Sequence, residues 1–149
     1  RLNIDAKVSL KNALEFQTDE KYDFIVLDAP CSSIGTIRKN PEILFKKKGL
    51  ILKELVFLQK KMLKNVSKIL NKNGLILYMV CSFFESETVK QLNYFLESHK
   101  NFKLYKFELK KENLIYRRLI KNDYMLTIPD LINNYTIDGY FAVFLKKLR

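Results

Sequence analysis

The stretch YDFIVLDAPCSS, residues 22–33, decides the fold. Tyr22 to Leu27 form a short β-rich apolar run, closed by Asp28 and broken at Pro30. Such a run predicts a strand over 22–28 that is buried on both faces, as in a parallel sheet. Open α/β sheets take their ligands in the crevice beyond the carboxyl ends of their strands. Asp28, Cys31 and the small residues around them therefore form the first candidate site.

The pattern extends outward from this strand. Between Leu50 and Leu70, the apolar residues Ile51, Leu52, Leu55, Leu58, Met62, Val66, Ile69 and Leu70 recur at spacings of three and four, which predicts an amphipathic helix. Asn71 to Gly74 are expected to stop it, because Asn and Gly tolerate a left-handed cap. LILYMVCS, residues 75–82, then reads as a second buried strand, and Cys81 ends it. A helix from about Ser86 to Ser98, a less buried strand over 101–109 and a last strand over 139–147 complete the reading. Residues 110–137 are weakly patterned, and Pro129 argues against a regular element there. Strands alternating with helices predict a parallel α/β sheet with crossover helices, in one domain over 1–149. Both thiols fall at strand ends, so one pocket can hold them.

Composition narrows the function classes. With 48% apolar residues in 149, the chain can bury one core. Charges interrupt every apolar run before it reaches the length of a membrane span, and the first residues show no basic-then-apolar signal pattern, so the chain is read as cytoplasmic. Cys31 and Cys81 have no CxxC or paired His/Cys spacing, which argues against a metal site or a disulfide framework and for free thiols. The formal net charge of +11 favours a polyanion such as nucleic acid. Yet 22 of the 27 basic residues are Lys in a chain also rich in Asn and Ile, as an AT-biased coding sequence would produce. Charge alone does not choose between the two.

Three segments are more specific. LDAPCSSIGTIRKNPEI, LQKKMLKNVSKILNKNGLILYMVCSFFESET and DGYFAVFLKK resemble, in order and spacing, successive motifs of the RNA cytosine-5 methyltransferases of the Sun/Nop2 family. The first family motif reads approximately DAPCSG-G-RR-P; Asp28, Ala29, Pro30, Cys31, Ser32, Gly35, Arg38 and Pro41 match it. The second reads approximately LKPGG-LVYSTCS followed by EN; Leu70, Gly74, Leu75, Tyr78, Cys81, Ser82 and Glu87 match, while Val80 replaces Thr and Thr88 replaces Asn. The third reads DGFF-A-L; Asp138, Gly139, Phe141, Ala142 and Leu145 match, with Tyr140 in place of the first Phe.

The resemblance implies an α/β fold that is a partial Rossmann-like S-adenosylmethionine-dependent methyltransferase fold. Glycine occurs only at 35, 49, 74 and 139, so the Gly-rich cofactor loop and the N-terminal strands are expected to be absent. A thiol suits the implied reaction, because cytosine C5 is a poor nucleophile until a thiolate adds to C6 and makes it enamine-like. By resemblance Cys81 is that nucleophile, and Cys31 assists release of the methylated base. Asp28 would hydrogen-bond the cytosine edge and lie near S-adenosylmethionine, the implied methyl donor. Asn12 falls where the family's adenine-contacting Asp is expected. Pro30 and Arg38 are implied to contact RNA, and Lys46, Lys47 and Lys48 add charge beside them. Ribosomal RNA is the expected substrate and transfer RNA the alternative, with no metal and no membrane partner.

Two other readings stay open. One is a non-catalytic RNA-binding or partner domain derived from such an enzyme; the other is an α/β enzyme using cysteine for acyl transfer, which needs a base beside the thiol. The single histidine, His99, lies in the polar segment ESHKN, where an exposed surface role is expected. Asp138 is read as a turn former before Gly139 and is left outside the catalytic set.

Overall fold

A computed structural model describes residues 5–45, 48–106, 119–121, 123–132 and 135–148. Strand β1 (Tyr22–Asp28) leads through two short 3-10 turns, Ile34–Thr36 and Pro41–Phe45, into helix α1 (Lys48–Lys68). Strand β2 (Leu70–Val80), helix α2 (Val89–Ser98) and strand β3 (Phe102–Tyr105) follow. Four short strands, β4 (Ile120–Lys121), β5 (Tyr124–Leu126), β6 (Asp130–Ile132) and β7 (Tyr135–Ile137), precede β8 (Phe141–Lys147).

The sheet is mixed, not parallel. β1 and β2 pair in parallel across the α1 crossover, whereas β8 pairs antiparallel with β2 on one edge and with β3 and β5 on the other. β3 thus runs in the same direction as β2, as the α2 crossover demands, and β8 enters between them from the opposite end. β6 and β7 form a separate hairpin.

Two further expectations are corrected. Asn71 to Gly74 do not cap α1: the helix ends at Lys68, and these residues form an irregularity within β2, where the register moves from Tyr22 opposite Leu70 to Phe24 opposite Leu75. Asn73 takes a φ of 64° there, and Asn71 Nδ2 donates to Asp23 Oδ1 at 2.8 Å. Lysines satisfy the carbonyls at this junction instead: Lys21 Nζ donates to Lys68 O and Lys147 Nζ to Ser67 O, both at the end of α1, and Lys147 Nζ also to Leu70 O at the start of β2. Residues 119–137 also hold four short strands where none was expected; Pro129 lies just outside them, between β5 and β6. Of the strand expected over 101–109, residues 107–109 lie outside the described residues.

Both helices pack on one face of the sheet. Met62 and Leu63 of α1 and Leu92 and Phe95 of α2 meet Ile76, Tyr78 and Val80 of β2 and Phe141, Val143 and Leu145 of β8. β1 is not buried on both faces: Leu27 joins this core, but Phe24 and Val26 are 51% and 55% exposed on the other side. Among the described residues, β1 is the sheet edge and no helix covers that face.

Candidate active site

The parallel pair carries the site at its carboxyl end. Ala29 N–H donates to Met79 O at 3.0 Å, extending the ladder one step, and both chains then leave the sheet at a cysteine. Cys31 Sγ and Cys81 Sγ lie 3.2 Å apart, both half-buried and both free. Two thiols that close cannot both ionise, so one proton is shared between them. The hydrogen bond from Cys31 lowers the Cys81 thiol to about 6, helped by Ser33 and opposed by burial and by the Asp28 charge. The same hydrogen bond, together with burial, pushes the Cys31 thiol far up. The surroundings thus favour ionisation at Cys81 and retention of the proton at Cys31.

Ser33 completes this arrangement at a conformational cost. Its φ of 56° and ψ of 17° are left-handed, where the family motif has Gly. Ser33 Oγ lies 3.4 Å from Cys81 Sγ; the neutral thiol donates to it, and once Cys81 is ionised the hydroxyl donates back. Ser33→Gly is expected to stabilise the fold by about 1 kcal/mol in denaturant unfolding, through loss of the left-handed penalty. The same variant should slow Cys81 alkylation at pH 7 roughly two- to threefold, because the thiolate loses a donor.

A buried carboxylate lies beneath the thiols. Glu87 is fully buried, and its carboxylate accepts from Ser32 N–H (2.8 Å), Ser32 Oγ (2.5 Å), Ser82 Oγ (2.6 Å) and Gln59 Nε2 (3.1 Å). Ser32 and Ser82 are the residues that follow the two cysteines. Gln59, from α1, also donates to Pro30 O at 2.9 Å, while its Oε1 accepts from Tyr78 Oη and Gln91 Nε2. Sequence reading missed this network, although a Gln on the apolar stripe of α1 was a usable signal.

Two glycines join the third motif to the first. Gly35 N–H donates to Cys81 O at 3.0 Å, and Gly139 N–H donates to Gly35 O at 2.8 Å. A Cβ built on Gly35 overlaps the Gly139 carbonyl, so the close approach needs glycine. Beside the clasp, the nearly buried Asp138 accepts from Lys39 Nζ at 2.6 Å and from Arg38 at 3.4 Å. The Lys39 hydrogen bond leads the effects that hold its carboxyl below the usual range.

The structure brings some expected residues together and not others. Asp28 is exposed at the end of β1 with its charge felt at Cys81, and the exposed Pro30 lies between Asp28 and Cys31. Arg38 faces Asp138. Asn12 makes local contacts only: its Oδ1 accepts from Leu14 N–H, and Asn65 near the end of α1 donates to Ala13 O and Phe16 O in the same turn. Lys46 and Lys47 lie outside the described residues, and only the backbone of Lys48, the first residue of α1, is described. His99 is half-buried rather than exposed, because its ring stacks on Phe95 at 4.3 Å and closes the end of α2. Among the described residues no three His, Cys, Asp or Glu side chains group as metal ligands, and no helix is long and apolar enough to cross a membrane.

Comparison with known proteins agrees with this geometry. Residues 1–146 match the family described as 16S rRNA methyltransferase RsmB/F. The chain is 34% identical over 107 residues to ribosomal RNA small subunit methyltransferase B of Photorhabdus laumondii, covering 70% of this chain and 25% of that protein. Against the Pasteurella multocida protein of the same name it is 38% identical over 84 residues, covering 56% and 19%. The chain thus spans about a quarter or less of the length of these curated relatives. Among solved structures, PH0851 aligns over 84% of this chain and 26% of its own, with a TM-score of 0.69 and 30% identity. NSun6 from Pyrococcus horikoshii, solved with SFG, aligns over 96% and 35%, with a TM-score of 0.76 and 20% identity, a likeness of fold. The fold shared with these neighbours is Rossmann-like, here a partial, mixed α/β version of it.

Proposed function

Since the chain belongs to the 16S rRNA methyltransferase RsmB/F family, we propose that residues 1–149 are the C-terminal portion of a methyltransferase catalytic domain and form the thiol half of its site. The whole protein methylates C5 of a cytosine in ribosomal RNA, in the cytoplasm, with S-adenosylmethionine as methyl donor. The observation that carries this reading is the 3.2 Å Cys31–Cys81 pair at the ends of two parallel strands.

The geometry supports different tasks for the two thiols. The Cys81 sulfur gives an electron pair to cytosine C6, the C5–C6 π pair moves through C4 to N3, and N3 takes a proton from solvent that it returns when the base is released. Asp28, at the rim, accepts a hydrogen bond from the protonated N3 and so stabilises positive character where it develops. Once C5 carries the methyl group, removal of its proton re-forms the C5–C6 double bond and expels Cys81 as thiolate. Cys31, the protonated partner 3.2 Å away, gives its proton to the departing sulfur and takes the C5 proton in its place. Arg38 and Pro30 flank the target base, with ribosomal RNA preferred over transfer RNA.

The described residues do not build a full site for the donor. The Gly35 approach to Gly139 is filled by backbone, a Cβ on Gly74 meets Asn71 O and Leu70, and only Asp28 offers a polar rim at the end of β1.

Cys31→Ser in the intact protein tests the reading. The variant is expected to accumulate a covalent RNA–protein complex through Cys81, seen as a denaturation-resistant band with labelled ribosomal RNA, while turnover falls at least about tenfold. Normal turnover with no trapped complex would refute the division of tasks.

A further inference from the structure

The two cysteines are brought together from distant parts of the chain, and one side chain touches the residue after each of them. We propose that Glu87 is the positioning residue of the site: it holds the two cysteine loops in register and keeps their thiols unlike. The inference rests on the reading that both thiols serve one base.

Ser32 is fixed to Glu87 twice, through its N–H and its hydroxyl, and Ser82 once, through its hydroxyl. Neither loop is held by a regular ladder at these positions, because β1 ends at Asp28 and β2 at Val80. A carboxylate is suited to this place because it only accepts, and four donors converge on its two oxygens. Glu87 is itself fixed from behind, since Gln59 donates to its carboxylate and Tyr78 Oη donates to its backbone carbonyl at 2.9 Å. Gln59 and Ser82 are also fully buried, so water does not compete for these bonds.

The charge has a second effect. Negative charge on Glu87 opposes ionisation of Cys31 and does not figure among the influences on Cys81, so it favours the state in which Cys31 keeps its proton. The other titratable groups whose charge is coupled to the pair are Asp28 at the end of β1, Tyr78 within β2 and Tyr140 ahead of β8. None of these touches both cysteine loops.

The test is alkylation of each thiol by iodoacetamide across pH 5 to 10 in the intact protein, resolved by peptide mass spectrometry. Wild type should label Cys81 well before Cys31. Glu87→Gln keeps the shape and removes the charge, and is expected to narrow the Cys81 to Cys31 rate ratio at pH 7 several-fold, with the Cys31 profile moving to lower pH. A lowered thermal midpoint with an unchanged ratio and profiles would overturn the proposal, because that is all a purely structural role can do. If Glu87→Gln does not fold, Ser82→Ala serves instead: it spares the carboxylate and its three other bonds, and should slow Cys81 several-fold while leaving the Cys31 profile in place. Equal labelling of Cys81 in Ser82→Ala and wild type would likewise overturn it. The readout needs no RNA, so a protein whose thiols respond as expected but which transfers no methyl group refutes the methyltransferase reading and leaves the role of Glu87 standing.

Discussion

Cys81→Ala is expected to lower methyl transfer to ribosomal RNA by about 10⁴-fold or more, the scale on which loss of a covalent nucleophile acts. The size follows from the asymmetry of the pair. Cys31 does not replace Cys81: its sulfur lies 3.2 Å from the attacking position, and even with the hydrogen bond to its neighbour gone, burial and the nearby Glu87 charge still hold its thiol up. Its proton holder's role also disappears once there is no thiolate to receive the bond. The check is incorporation of labelled methyl groups into RNA, with the Cys81→Ala, Cys31→Ser double variant as a companion: it should form no covalent complex, unlike Cys31→Ser alone. Turnover unchanged in Cys81→Ala would sink the mechanism. In wild type, activity should rise with pH through about 6, where Cys81 ionises. For stability the two thiols act in different ranges: the lowered Cys81 adds stability as pH rises from about 6 toward its ordinary value, and the raised Cys31 removes stability as pH rises beyond that value.

The second large effect is on the fold. Gly35→Ala is expected to cost about 3 kcal/mol, the upper end of overpacking, because the new methyl overlaps the Gly139 carbonyl and neither backbone can yield alone. Gly35 N–H is bonded to Cys81 O and Gly35 O to Gly139 N–H, so separating the two glycines strains both bonds. The variant should therefore unfold at lower denaturant and lose methyl transfer together, whereas Cys81→Ala, compared at about pH 5 where the Cys81 thiol is protonated, should leave unfolding nearly unchanged. Denaturant titration of both variants separates the cases; wild-type stability in Gly35→Ala would contradict the clasp.

Much of the scaffold was legible because burial imposes long periodic patterns. β1 declared itself by an unbroken apolar run ended by Asp28 and Pro30, and α1 by apolar residues at three- and four-residue spacing. Where the reading failed, the signal was too short or had two meanings. Strands of two or three residues, such as β4 to β7, are too brief to show a period. Asn71 to Gly74 look like a helix cap, and Asn73 does take the left-handed conformation such a cap uses, but it does so inside a strand. β1 read as doubly buried because its composition suits that setting, while its burial here depends on neighbours that composition does not specify. In the site, the cysteines were placed together by their positions at two strand ends, and the 3.2 Å separation agrees. Glu87 was legible only as a motif match, and its network with Gln59 was not, because these hydrogen bonds join residues far apart in the chain.

The placement of β8 has a consequence for synthesis. Its partners β2 and β3 lie well before it in the chain, yet it runs between them, so this strand in the middle of the sheet leaves the ribosome after both of them. Until Phe141 to Lys147 emerge, β2 keeps one edge unpaired and Gly35 lacks the residue that fastens its loop to Gly139. Pairings so distant in sequence close slowly, because the intervening loop must be ordered first. The helical layer is thus available to form during translation, while the thiols come into final register only after it.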